Sequence, residues 1–260
     1  DAVFCLVWAD DREPPLVTGN KNCITVLRHY AQLNVLYEVM IDLANTLRDE
    51  GALDESECFI DAMFFRSRGG GDEIGPTRRG KGLIIMAILG RYGLPLAIST
   101  HAANHHEVTL VQLSFDFYMI EAKPENLIGD RAYDSDKLDE KLRQDGIEMI
   151  APHKRNRVRT RTQDGRRLRC YERRWLVESF FAWIQCQRLI LVQWEYHAEN
   201  FLFFMRLGRF DILLEIFENG SKLTFYPRMP NSVPSQSNEW WYMICLCQLS
   251  IVGASADSAS

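Results

Sequence analysis

Three acidic residues stand where a carboxylate needs a reason. Asp61 interrupts the run Cys58-Phe59-Ile60-Asp61-Ala62-Met63-Phe64-Phe65, whose other members are all apolar. Aspartate is depleted in strands, and burying a carboxylate is costly, so a basic side chain or a metal must compensate it. Asp130 ends the short stretch Asn126-Leu127-Ile128-Gly129, and open α/β sheets bind ligands beyond the carboxyl ends of their strands. Taken alone it reads equally well as a turn or capping aspartate, as do its neighbours Asp134 and Asp136. Glu178 shares one helical stripe with Tyr171 and Arg174, at i, i+3 and i+7. Its flanks, Trp175, Leu176, Val177, Phe180 and Phe181, make its surroundings largely protein. Three carboxylates on two strands and a following helix can converge on one pair of divalent cations. Oxygen-only donors suit Mg²⁺ or Mn²⁺ rather than zinc. Two such ions about 4 Å apart stabilise the attacking and leaving oxygens of an in-line phosphoryl displacement.

The elements that must position these acids can be read from the pattern. Leu33, Leu36, Met40, Leu43, Ala44 and Leu47 recur at helical spacing and Gly51 supplies a stop, giving a helix that ends near Glu50. Residues 58–65 read as a strand apolar on both faces, hence central in a sheet. A Gly- and Arg-rich loop follows, then strands at Leu83–Leu89 and Leu94–Thr100 joined by Gly90-Arg91-Tyr92-Gly93. Asn104 with Glu107 resembles a capping box opening a helix through about Tyr118. A short strand ends at Asp130, Ser135 caps a helix that Gly146 stops, and Ile147–Ala151 is a fifth strand ended by Pro152. A helix from about Tyr171 to Leu191 carries Val177, Phe180, Phe181 and Ile184 on one face. The order strand, strand, strand, helix, strand, helix, strand, helix predicts an α/β sandwich with a mixed sheet, the element order of a ribonuclease H-like fold. Residues 1–53 form an N-terminal helical segment, 54–217 the main domain, and 218–260 a tail of unknown role whose composition suits disorder.

Charge points to a partner. The chain of 260 residues carries a net charge of -5, yet Lys154 to Arg174 holds ten of the 30 basic residues against Asp164 and Glu172, a local +8. So dense a cationic strip suits a polyanion, because phosphate binding is driven by local positive charge and counterion release. Seven cysteines without a CxxC pair argue against zinc ribbons and disulfide frameworks and fit a reducing cytosol. No apolar run is long enough to span a bilayer and no signal peptide opens the chain, so no membrane partner is expected. The start at Asp1 leaves room for a truncated reading frame. Gly75-x4-Gly80-Lys81-Gly82 nearly spells a P-loop, but Gly82 replaces the Ser/Thr and a strand follows where a helix should open. His105, His106 and Glu107 read as surface residues at a helix start, and Trp175, Trp183 and Trp194 as packing aromatics.

The motifs FIDAMF, GPTRRGKG, LIGDRAYDSDKL, IAPHKRNR, TQDGRRLRCYERRW and VESFFAW follow one another in order. Over about residues 26–217 the chain resembles the DDE transposases of bacterial insertion sequences, specifically the insertion-sequence family five group. The resemblance implies Asp61, Asp130 and Glu178 as the catalytic acids, holding two Mg²⁺ (or Mn²⁺) ions, 69 and 48 positions apart along the chain. It matches Tyr171, Arg174 and Glu178 to the family's Tyr-x2-Arg-x3-Glu signature. Where some relatives have Lys seven residues on, this chain has Gln185, and Arg188 one turn further is the candidate to contact DNA instead. Lys81, Lys154, Arg155 and Arg157 are expected to position DNA backbones. The resemblance further implies cleavage and strand transfer at insertion-sequence ends, double-stranded DNA (ends and target) as partner, and at least a homodimer on DNA. The setting it implies is a bacterial cytoplasm, at the nucleoid. The rival expectation is a catalytically defective DNA-binding remnant of such a protein.

Overall fold

Continuous apolar runs set the sheet. A computed structural model describes residues 35–68, 70–155, 167–186, 190, 192–193 and 196–219. Helix α1 (Val35–Asp49) buries Met40, Ala44 and Leu47. It stops at Gly51, whose φ of 71° no other residue type adopts as cheaply, with Gly51 N–H on Arg48 O and Ala52 N–H on Leu47 O.

Strands β1 (Glu57–Arg66), β2 (Gly75–Thr77), β3 (Gly80–Leu89) and β4 (Pro95–Ala102) follow. After them come α2 (Glu107–Ser114), a 3₁₀ turn at Phe115–Phe117, β5 (Asn126–Ile128), a second 3₁₀ turn at Arg131–Tyr133, α3 (Asp136–Gln144) and β6 (Glu148–Ile150). A 3₁₀ segment, Arg167–Arg174, leads into α4 (Trp175–Cys186), and α5 (Ala198–Asn219) closes the described chain. The six strands form one mixed sheet in which β2, β3, β1, β5 and β6 are successive neighbours and β4 also pairs β3. β2 uses Gly80–Gly82 of β3 and β4 uses Leu83–Leu89, so the two share one edge. β3 runs antiparallel to β1 and β4; β5 and β6 run parallel to β1. The fold is the mixed α/β sandwich that the element order implied.

Opposed residues of an antiparallel pair share a face, so Asp61, Met63 and Phe65 lie with Ala87, Ile85 and Leu83. α5 covers this face, where Phe201 meets Phe65 edge-on at 5.9 Å, and α4 packs on β1 and β3. α2 covers the other face, its Ser114 hydroxyl reaching Met86 Sδ at 3.5 Å and Ser99 Oγ at 3.1 Å. With both faces covered, every residue of β3 from Gly82 onward is buried, as a central strand requires.

Three local expectations are corrected. Asn104 is not an N-cap: a turn with His105 N–H on Ala102 O intervenes, and α2 starts from His106 with no side-chain cap. Asn104 instead packs so closely on Gly75 that a Cβ there would lie 2.5 Å from its backbone nitrogen. Tyr171 and Arg174 sit on a 3₁₀ segment rather than inside the α-helix, which begins at Trp175 and is described to Cys186. α5 was not anticipated. Its residues Phe201, Leu202, Phe203, Phe204 and Met205 are buried in succession, so it shows no apolar stripe to read. The N-terminal segment before residue 35 and the tail after residue 219 lie outside the described residues.

Candidate active site at the ends of the parallel strands

Register brings two of the acids together. The β1–β5 ladder ends at Phe59 opposite Ile128. Asp61 and Asp130 each stand two residues beyond that pair, so both keep its face at the edge where the strands part. Asp61 Oδ1 accepts the N–H of Ala62 at 2.8 Å, and Asp130 Oδ1 accepts that of Ala132 at 2.7 Å. Asp130 is therefore both a site residue and the cap of the turn Arg131–Tyr133, which fixes its carboxylate. Burial pushes the Asp61 carboxyl above its ordinary value; the Ala62 N–H and Arg174 pull it down, while the charges of Asp130 and Glu178 push it up.

Arg174 ties in the third acid. Its Nη1 donates to Asp61 Oδ2 at 2.9 Å and its Nη2 to Glu178 Oε1, in the first turn of α4. In a 3₁₀ segment residues i and i+3 eclipse, which stacks the Arg174 guanidinium over the Tyr171 ring at 5.5 Å. Burial opposes the charge on Arg174, but Asp61, Tyr171 and Glu178 outweigh it and hold the guanidinium above its ordinary value. Asp61 and Glu178 thus face a single cation. Among the described residues no three His, Cys, Asp or Glu stand close enough to hold one metal ion as they are. The donor set nevertheless suits a hard cation: all oxygen, converging on a positive group that marks where positive charge is favoured.

Burial pushes the Glu107 carboxyl up to about 7, with Asp130 and Asp61 adding to the rise and Arg79 opposing it. Glu107 therefore joins the same charge cluster, which sequence reasoning missed by placing it on the surface. The available signal was positional. β4 runs in the direction of β1, so the helix opening just after it begins at the same sheet edge as Asp130.

The expected DNA-contacting residues are spread around this edge. Lys81 is exposed on β3 opposite Pro76, in the β2–β3 hairpin whose turn exposes Arg78 and Arg79. This hairpin, and not a phosphate-binding loop before a helix, is what the near P-loop sequence forms. Beyond β6, Lys154 N–H donates to Asp134 Oδ2 at 2.8 Å and His153 Nδ1 meets Asp134 Oδ1 at 3.1 Å, leaving Lys154 and Arg155 exposed. Arg157 and Arg188 lie outside the described residues. Trp183 is buried in α4 as a packing aromatic, whereas Trp175 is exposed.

Among solved structures the chain is similar to the piggyBac transposase synaptic complex with hairpin DNA, at 11% identity and a TM-score of 0.33, covering 43% of this chain and 27% of that one. It is also similar to the intasome of simian T-cell lymphotropic virus in complex with the PP2A regulatory subunit B56 gamma. There the identity is 12% and the TM-score 0.38, over 72% of this chain and 60% of that one. The chain thus spans about a quarter of the first and three fifths of the second. No curated protein matches the sequence. The family model "Transposase DDE domain" matches residues 53–208, a span that holds β1 through α4 and all four clustered carboxylates, and the chain belongs to that family.

Proposed function

We propose that this chain is a metal-dependent DNA transposase of the insertion-sequence family five group, cutting the ends of its element and joining them to target DNA. The observation that carries the reading is the parallel register that sets Asp61 beside Asp130, with Glu178 joined to Asp61 through Arg174. Asp61, Asp130 and Glu178 would hold two Mg²⁺ (or Mn²⁺) ions, which when bound supply the positive charge that an in-line phosphoryl displacement needs. The residues around them bind and orient. Lys81, Lys154 and Arg155 are exposed near the edge where a duplex would approach, and contacts from such side chains to phosphates fix register without reading sequence. Arg174, once exchanged from Asp61 and Glu178, is free to contact a phosphate while Tyr171 keeps its plane oriented. Bringing two element ends together requires at least a homodimer on DNA.

The test is Mg²⁺-dependent nicking and strand transfer on a duplex bearing the element's ends. Asp61→Asn, Asp130→Asn and Glu178→Gln should each abolish both steps while leaving DNA binding within a few-fold of wild type. Strand transfer at the wild-type rate by Asp130→Asn would overturn the site.

One observation favours a second reading, a DNA-binding remnant without catalysis: the Arg174 guanidinium already neutralises two of the acids. That reading expects salt-sensitive binding of the duplex with no nicking at any Mg²⁺ concentration.

A further inference from the structure

Beside the three expected acids the sheet edge holds a second pair of polar groups without partners. Tyr133 is fully buried on the turn that Asp130 caps, and its hydroxyl has no hydrogen-bond partner among the described residues. Its ring is seated on Gly129, where a Cβ would lie 2.7 Å from Cδ2 of Tyr133 and 2.7 Å from Cε of Met149. The seat is therefore reserved for this ring. Besides burial, the charges of Glu107, Asp61 and Asp130 hold the phenol well above its ordinary value, so its hydroxyl faces the space those carboxylates share. Glu107 has no hydrogen bond or ion pair among the described residues, and α2 packs against the turn that carries Tyr133. A glutamate in a first helical turn can serve the helix dipole alone, but that role gains nothing from half-burial beside two other carboxylates. Nor does it supply a partner for a buried hydroxyl, which is costly to leave unmade.

We propose that Glu107 is a fourth cation-holding carboxylate of this site, with the Tyr133 hydroxyl as its hydrogen-bonding companion. The inference rests on the functional reading above and extends it to two residues that the Asp-Asp-Glu set does not contain.

Mn²⁺ binding to the full chain, followed by electron paramagnetic resonance with and without duplex DNA, tests it alongside thermal melting in EDTA. Wild type binds Mn²⁺, and Asp61→Asn and Asp130→Asn lose binding. Glu107→Gln weakens it about 10- to 100-fold, and Tyr133→Phe weakens it less, as expected for ligands and their supporting groups. Glu107→Gln melts no lower than wild type in EDTA, since it removes a repelling charge, and Glu107→Asp recovers most of the affinity. Wild-type Mn²⁺ affinity in Glu107→Gln, with Asp61→Asn and Asp130→Asn defective, would overturn this inference and leave the functional reading standing. Weakened binding with a lowered melting temperature that Glu107→Asp shares would overturn it too, marking Glu107 as structural. No Mn²⁺ binding by wild type under either condition would remove the functional reading and this inference with it.

Discussion

The guanidinium of Arg174 is bonded to Asp61 and Glu178 at once, so replacing it leaves two carboxylates facing each other. Arg174→Gln should cost about 1–2 kcal/mol in EDTA, between the values for exposed and buried pairs. Mg²⁺ should recover more of the melting temperature in this variant than in wild type; equal recovery would mean that the acids do not share a cation. Protonation offers a second handle. Glu107 lies near 7 in the folded protein against an ordinary 4.5, and Asp61 is shifted the same way. A carboxyl raised on folding favours the folded state while protonated, so that contribution is present below pH 4.5 and is lost as pH rises to about 7. Denaturant unfolding of the metal-free chain should therefore show stability falling across this window, and Glu107→Gln should flatten the fall. Asp61, Asp130 and Glu178 were legible because each breaks an apolar pattern or sits at a strand end. Glu107 was not, because the charges that set it apart come from Asp61 and Asp130, distant in sequence and brought near only by the sheet.

At the scale of elements, the pairing Phe59–Ile128 aims the two aspartates side by side, and Gly129 lets the chain after β5 turn with Tyr133 packed on it. Gly129→Ala needs no unusual backbone angle, so its effect is crowding: the new Cβ meets Met149 and Tyr133 at 2.7 Å. Overpacking of this kind costs about 1–3 kcal/mol. Because the turn also carries Asp130, DNA nicking should fall by more than the loss of folded protein explains. Matching losses would show that Gly129 serves packing alone. β1, β3, β4 and β5 could be read from apolar runs bounded by turn residues. α5 could not, since five successive buried residues from Phe201 to Met205 leave no period. Phe201→Ala, which empties the space against Phe65, should cost about 3–5 kcal/mol by chemical denaturation. A loss under 1 kcal/mol would mean that α5 is not a true layer of the fold.

Across the whole molecule the acidic balance and the basic strip oppose each other: a net charge of -5 contains a stretch of +8. A chain negative overall is repelled by DNA at long range, so binding must depend on where the positive charge is exposed. β6 runs parallel to β5 and ends at the edge where Asp130 stands, and the strip begins just beyond it with Lys154 and Arg155 exposed. Asp134 anchors that exit by accepting the Lys154 N–H, which keeps the first cations of the strip near the carboxylates. Removing one cation that neutralises a phosphate lowers the slope of log affinity against log salt by about 0.9. Lys154→Gln with Arg155→Gln should therefore reduce the slope for a duplex by about two and weaken binding of all sequences alike. Asp61→Asn should leave that slope unchanged. If the double variant keeps the wild-type slope, the strip is a solvated surface, and the duplex must reach the acids from the side of Arg78, Arg79 and Lys81 instead.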